Sequence, residues 1–301
     1  MPPDALQQTS AGVLLCVALA VAVAVQARVI RRIARDGGQV PTADFVMPDA
    51  LVAFVLATFF IGLGISAVVR HAEKGHAVKI EQVIPGSLVF VVIAAGVAGF
   101  LQYRGLKLVP QLGLGRVPPL RVVGFLTFRG ARVPALLGLT RLGPLRVLGW
   151  ALGLLLTAFA FVAVANLFTV ALLHGHTEPQ ELVQLFRTVA QHGESTAMLK
   201  ILLAGALLAP VCEEFLFRGF FYAVGKRYLG PLASGFLTAV LFAAVHQSLT
   251  AFAGLFVLAV CFTLAYERTG SLLVPIGMHA LYNSTSLLFI WLQARGAFPT
   301  L

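Results

Sequence analysis

Charge is what this sequence has least of. Only 11% of its 301 residues are Asp, Glu, Lys or Arg, against roughly 25% in a soluble domain. With 59% hydrophobic residues, the chain lacks the polar surface needed to cover itself in water, which excludes an ordinary soluble globular protein. Cysteine is nearly as scarce. The three residues, Cys16, Cys212 and Cys261, all lie in apolar stretches, so they offer neither a disulfide framework nor a CxxC metal signature and read as small apolar packers. HExxH and GxGD are both missing, which removes the site-2 metalloprotease and aspartyl patterns of intramembrane proteolysis. "LASG" at 232–235 lacks the first glycine of a rhomboid serine motif, so Ser234 reads as a small helix-packing residue.

What remains is an integral membrane protein. Apolar runs of about 20 residues, the length that crosses a bilayer, fall at 10–30, 49–69, 84–103, 147–173, 197–224, 232–250, 251–266 and 271–293. The sequence therefore predicts an all-α integral membrane protein of about eight transmembrane helices, and the polar residues some of them carry, taken up below, are what would line an intramembrane catalytic cavity. The first run has no positive charge before it and "RVIRRIAR" after it, which reads as an anchor with its N-terminus outside.

The formal net charge is +10, but the basic residues form no compact patch with interleaved aromatics, so nucleic acid is not an expected partner. They sit between apolar runs and set orientation instead. The 28–35 segment is basic, and 104–146 carries Arg104, Lys107, Arg116, Arg121, Arg129, Arg132, Arg141 and Arg146 with no acid. Both are expected on the cytoplasmic side, together with Lys226–Arg227 and Glu267–Arg268. The 174–196 loop, with Glu178, Glu181 and Glu194, is expected outside. The Gly- and Pro-rich 104–146 stretch is expected to lie along the membrane surface.

Against this apolar background, three segments carry polar residues at helical spacing. In "CEEFLFR", Glu214 and Arg218 are four apart and share a helix face, while Glu213 is turned about 100° away. In "FAAVH", Phe242 and His246 are four apart, and in "HALYN" so are His279 and Asn283. Counted from the cytoplasmic helix ends, Glu213, His246 and His279 lie roughly 18, 21 and 12 Å deep, compatible with one cluster. Ionisable groups in hydrocarbon cost several kcal/mol each, so six polar residues on three helices point to function rather than to helix clips.

The chemistry such a set supports is hydrolysis. A carboxylate and an imidazole can hold and deprotonate a water. A second imidazole and a carboxamide one turn away can donate to the oxyanion of a tetrahedral intermediate. Two histidines and a glutamate are also a possible zinc set, Glu213, His246 and His279, so zinc stays open at this point. Buried Glu, His and Arg also build proton-coupled transporters, but these charges cluster in the C-terminal half and no paired broken helices mark an inverted repeat.

"EEFLFR", "FAAVH" and "HALYN", in that order and each in an apolar segment, resemble the EExxxR, FxxxH and HxxxN/B motifs of the CAAX prenyl protease 2 family, also called the CPBP or Abi family of intramembrane proteases. The resemblance covers roughly 135–293, including the lead-in "YERTGSLLVPIGMHALYNS". It implies an intramembrane endopeptidase acting on a membrane-associated or lipid-anchored peptide or protein, in a multi-pass cell-membrane setting that suits a bacterial inner membrane. Glu213 would activate the water with His246, His279 and Asn283 would stabilise the oxyanion, and Glu214, Arg218 and Phe242 would support them. The implied site is metal-free. A proton-coupled transporter or a non-catalytic bacteriocin-immunity membrane protein is the alternative. Residues 1–134 would supply N-terminal membrane helices and the basic cytoplasmic segment, 135–293 the catalytic core and 294–301 a short tail, all as one structural domain.

Overall fold

The computed structural model describes residues 3–74, 80–111, 137–139, 141–175 and 180–297. Among the described residues there are helices and connections but no strands. In chain order the helices are α1 (Pro3–Asp36), α2 (Met47–Lys74), α3 (Ile80–Gln111), α4 (Pro144–Leu172), α5 (Glu181–His192), α6 (Ser195–Leu229), α7 (Pro231–Val245), α8 (Leu249–Thr269) and α9 (Leu273–Ala294). Each of the eight apolar runs expected from the sequence falls on one of them. Five (Gly12–Asp36 of α1, α4, α6, α8 and α9) are long and apolar enough to cross a membrane, while α2, α3 and α7 carry shorter apolar helices. This is a multi-pass, all-α membrane protein. Most of the basic 104–146 segment lies outside the described residues.

The apolar exteriors are the visible consequence of composition. Leu14, Phe54, Leu156, Phe168, Leu207 and Phe236 are all exposed, a pattern that suits lipid and would be unstable in water. Burial in hydrocarbon gains little for an apolar side chain, so helix association rests on close packing and on polar contacts. The packed centre is aromatic: Phe217, Phe220, Phe242 and Phe262 are fully buried. Around it α4 packs on α8 and α9, α7 on α8, and the middle of α6 against α3, α7 and α9.

Two corrections to the sequence reading concern connections. The 174–196 stretch, expected to be an external loop, contains a 12-residue helix, α5, whose Phe186 and Val189 pack with Leu287 and Ile290 of α9. The runs at 232–250 and 251–266 are not continuous. α7 stops at Val245 after 15 residues, about 22 Å at 1.5 Å per residue and short of the ~30 Å hydrocarbon core. Its last carbonyls are met by tightened bonds, His246 N–H to Ala243 O (3.3 Å) and Gln247 N–H to Ala244 O (3.1 Å). Gln247 then adopts φ 55°, a left-handed conformation uncommon outside glycine. Ser248 restarts the chain as the N-cap of α8, its hydroxyl accepting from Ala251 N–H at 3.2 Å. The tight turn leaves His246 at the end of α7.

The segments expected on the cytoplasmic side meet at one end of the bundle. Glu267, 2% exposed near the end of α8, accepts from Tyr222 Oη (2.7 Å) and from the backbone N–H groups of Gln39 (2.6 Å) and Val40 (3.2 Å). Lys226 Nζ pairs with the same carboxylate and donates to Val40 O at 3.0 Å. Leu272 N–H, at the start of α9, donates to Leu137 O at 3.1 Å.

Candidate active site

α6 carries the first three polar residues, and it is not a uniform α-helix. Residues Ala204–Leu208 and Phe215–Tyr222 are wound as π-helix, with α-helix at Ala209–Glu214 between them. The first wide turn has a readable cause. Ala209 N–H bonds Ala204 O rather than Gly205 O. The next donor in that register would be residue 210, a proline without an N–H. The carbonyl of Gly205 therefore has no donor in its own helix, and Asn283 Nδ2 of α9 supplies one at 2.7 Å.

Glu214 lies at the centre of a fully buried network. Its Oε1 accepts from Arg218 NH1 at 2.9 Å and faces His279 Nδ1 at 2.9 Å. Glu214 and Arg218 are both 0% exposed, so the ion pair has no water to lean on and depends on its own hydrogen bonds. Arg218 NH2 donates to Ala259 O at 3.0 Å, and its guanidinium lies 4.6 Å from the Phe242 ring centre and 5.2 Å from that of Phe262. The Arg218–Glu214 pair is as the sequence predicts. The bond from Glu214 to His279 is not visible there, because it joins residues 65 positions apart.

Glu213 faces elsewhere, as its 100° offset requires. Its Oε2 lies 3.8 Å from His246 Nε2 and 4.0 Å from His279 Nε2, and has no direct hydrogen bond. Three of the four expected catalytic residues thus converge, Glu213, His246 and His279. Asn283, one turn further along α9, sits at the Gly205 break instead.

Both imidazoles are held by their Nδ1 atoms. His246 Nδ1 lies 2.7 Å from Phe242 O. A carbonyl only accepts, so Nδ1 carries the proton and the Nε2 lone pair of the neutral ring is left facing Glu213. That carbonyl is free because the backbone N–H of His246 turns to Ala243 instead. The spacing of the FxxxH motif is therefore a helix-end requirement: the ring caps the carbonyl one turn back. Phe242 also walls the site with its own ring, 4.7 Å from that of His246 and 5.8 Å from that of His279. On its other side His279 stacks on Phe262 at 5.2 Å and 28°. Phe262 is the participant that sequence reasoning missed. It occupies an apolar helix among many phenylalanines, and only its position distinguishes it.

Access is one-sided. The His246 side chain is 23% exposed and that of Glu213 12%, against 4% for His279 and none for Glu214 and Arg218. The site is most open along its Glu213–His246 edge, with Glu213 Oε2 itself buried and His279 behind it.

The donor separations also test zinc. Ligands at about 2.0–2.1 Å from a tetrahedral ion lie roughly 3.3 Å apart, whereas Glu213 Oε2 is 3.8 and 4.0 Å from the two Nε2 atoms. Among the described residues no group of three or more His, Cys, Asp or Glu is close enough to hold a metal.

Comparison with known proteins gives a similarity over this region. Residues 195–285 match the family described as type II CAAX prenyl endopeptidase, Rce1-like. That segment is similar to the Rce1-like family. It runs from the start of α6 into α9 and contains every residue of the cluster. An uncharacterized 24.3 kDa protein of Escherichia coli is 39% identical over 88 residues, 28% of this chain. The match spans 41% of that protein's length. No solved structure matches the chain. Ser234 and two of the cysteines play packing parts in the Rce1-like segment: Ser234 Oγ donates to Tyr222 O at 2.8 Å, and Cys212 and Cys261 are free and buried.

Proposed function

We propose that the protein is an intramembrane endopeptidase that hydrolyses a peptide bond of a membrane-associated or lipid-anchored peptide or protein. The observation carrying this reading is the convergence of Glu213 Oε2 on two imidazole Nε2 atoms whose Nδ1 atoms are both held from behind. The Rce1-like match supports the reaction class.

In the proposed mechanism a water sits between Glu213 and His246, a bridging arrangement suited to polar atoms nearly 4 Å apart. One of its hydrogens points to the Nε2 lone pair of His246. Glu213 takes the other as the oxygen attacks the scissile carbonyl, and returns that proton to the leaving amine. The developing oxyanion is stabilised from the opposite wall by His279 Nε2–H. That role needs both ring nitrogens protonated, with Nδ1 held by the Glu214 oxygen that also pairs with Arg218. Asn283, the expected second donor, has one of its two amide hydrogens committed to Gly205 O. The site works without metal in this scheme. A bacterial inner membrane, with the basic helix ends in the cytoplasm, fits the charge distribution.

The test is a comparison of membrane-derived peptides in cells carrying the wild-type protein or Glu213→Gln. This substitution keeps side-chain size and removes the base. A product that disappears in the variant names the substrate class. Identical peptide profiles, together with Glu213-dependent proton flux in proteoliposomes, would replace hydrolysis with transport.

A further inference from the structure

We infer that Asn283 is a positioning residue. It holds open the break at Gly205–Pro210 in α6, and through that break sets where Glu213 points. This inference rests on the protease reading for its kinetic part only.

The argument starts from backbone accounting. A carbonyl shielded from water within a membrane protein must find a donor, and Gly205 is half-buried. Gly205 O cannot use Ala209 N–H, which is committed to Ala204 O, and cannot use residue 210, which is proline. Asn283 Nδ2 is the donor it has. Without that bond, the winding of lowest cost changes: Ala209 N–H can return to Gly205 O and the wide turn can relax to α-helix. Losing one wide turn rotates everything downstream relative to everything upstream, by up to about the 100° that separates neighbouring residues. Glu213 lies one turn beyond Pro210, so it is among the first residues affected.

Two features make this turn the sensitive one. Wide turns inside α-helices are frequent at functional sites because they re-aim side chains without ending the helix. Here Asn283 lies one turn beyond His279 on α9, so a single helix sets His279 against Glu214 and braces the backbone that carries Glu213. The brace and the reacting group are thus fixed to each other. Leu182 of α5 lies over the same point, its side chain within 4.0 Å of where a Cβ on Gly205 would fall.

The proposal separates from a direct oxyanion role by giving the carbonyl another donor. Pro210→Ala restores an N–H at the position the wide-turn register needs. Four chains are compared: wild type, Asn283→Ala, Pro210→Ala and the double variant. Thermal unfolding in detergent is measured for each, with turnover of the cleaved peptide alongside. Asn283→Ala is expected to lower the unfolding temperature clearly in the proline chain and much less in the alanine chain. Turnover should fall on the order of 10²-fold or more on Asn283→Ala in the proline chain, the size of a lost catalytic donor, and recover at least tenfold in the double variant.

A folded but inactive Pro210→Ala chain would overturn the inference, since an N–H in the wide-turn register should keep the break open and Glu213 aimed. Equal thermal losses in both backgrounds would overturn it. So would an active Pro210→Ala chain in which Asn283→Ala costs as much turnover as before, because the amide would then act on the substrate directly. A wild-type protein that cleaves nothing yet shows the thermal coupling would sink the protease reading and leave the brace standing.

Discussion

Glu213 and Glu214 are neighbours in sequence, and removing the charge from each should have opposite consequences. Glu214→Gln leaves Arg218 fully buried with no carboxylate, while the Gln amide must now choose between donating and accepting at a site built for an acceptor. Breaking a buried ion pair from one side costs about 3–5 kcal/mol, because the surviving charge is stranded. The aromatic faces of Phe242 and Phe262 and the Ala259 carbonyl remain around the guanidinium, so we expect the lower end, ~3 kcal/mol. Glu213→Gln strands nothing. Its Oε2 has no direct hydrogen bond to lose, and a neutral amide is cheaper than a carboxylate at that depth. Its stability should equal or exceed that of wild type while turnover falls by orders of magnitude. Thermal unfolding of the purified protein in detergent, read beside turnover, measures both. The double variant Glu214→Gln/Arg218→Met sharpens the comparison. Removing both charges should restore most of the lost stability, yet His279 would still lack its carboxylate, so turnover should stay low. A Glu214→Gln protein as stable as Glu213→Gln, or a double variant no more stable than Glu214→Gln alone, would refute the reasoning.

Three further outcomes are expected. Activity of the purified protein should survive exhaustive chelation; loss with recovery on stoichiometric zinc would make Glu213, His246 and His279 metal ligands. Gln247→Gly should raise stability by up to about 1 kcal/mol by relieving the left-handed turn after His246, and should slow turnover if the released turn lets His246 drift; unfolding and turnover measured together check both. Cysteines introduced singly at Arg32 and Gln191 should label from opposite faces of the membrane, Arg32 from the cytoplasm, and same-side labelling would overturn the orientation.

The helices were legible because lipid imposes a crude rule on sequence. Apolar runs long enough to span had to be helices, and all eight fell on helical segments. The polar pairs were legible because i, i+4 spacing is a local geometric fact, as Glu214–Arg218 and Phe242–His246 show. The fate of Asn283 depends on a register change in another helix, which no local pattern around "HALYN" reveals. The Glu214–His279 bond and the Phe262 stack are likewise long-range packing outcomes. α5 was missed for a different reason. Its apolar positions, Leu182, Phe186 and Val189, do recur at helical spacing, but the acidic residues flanking them weigh the stretch toward a loop.

Glu267 bears on how this protein can be divided. The carboxylate lies inside the segment similar to the Rce1-like family, but two of the donors it accepts from, the N–H groups of Gln39 and Val40, belong to the connection between α1 and α2, and Lys226 donates to Val40 O across the same seam. A shortened chain beginning near residue 135 would leave that carboxylate with Tyr222 and Lys226 alone and open its remaining lone pairs to whatever fills the gap. The N-terminal helices are therefore not a detachable leader to the matching segment. They are part of its floor, and transplanting the three motifs into another membrane protein would require carrying residues 39 and 40, or substitutes for them, along with the site.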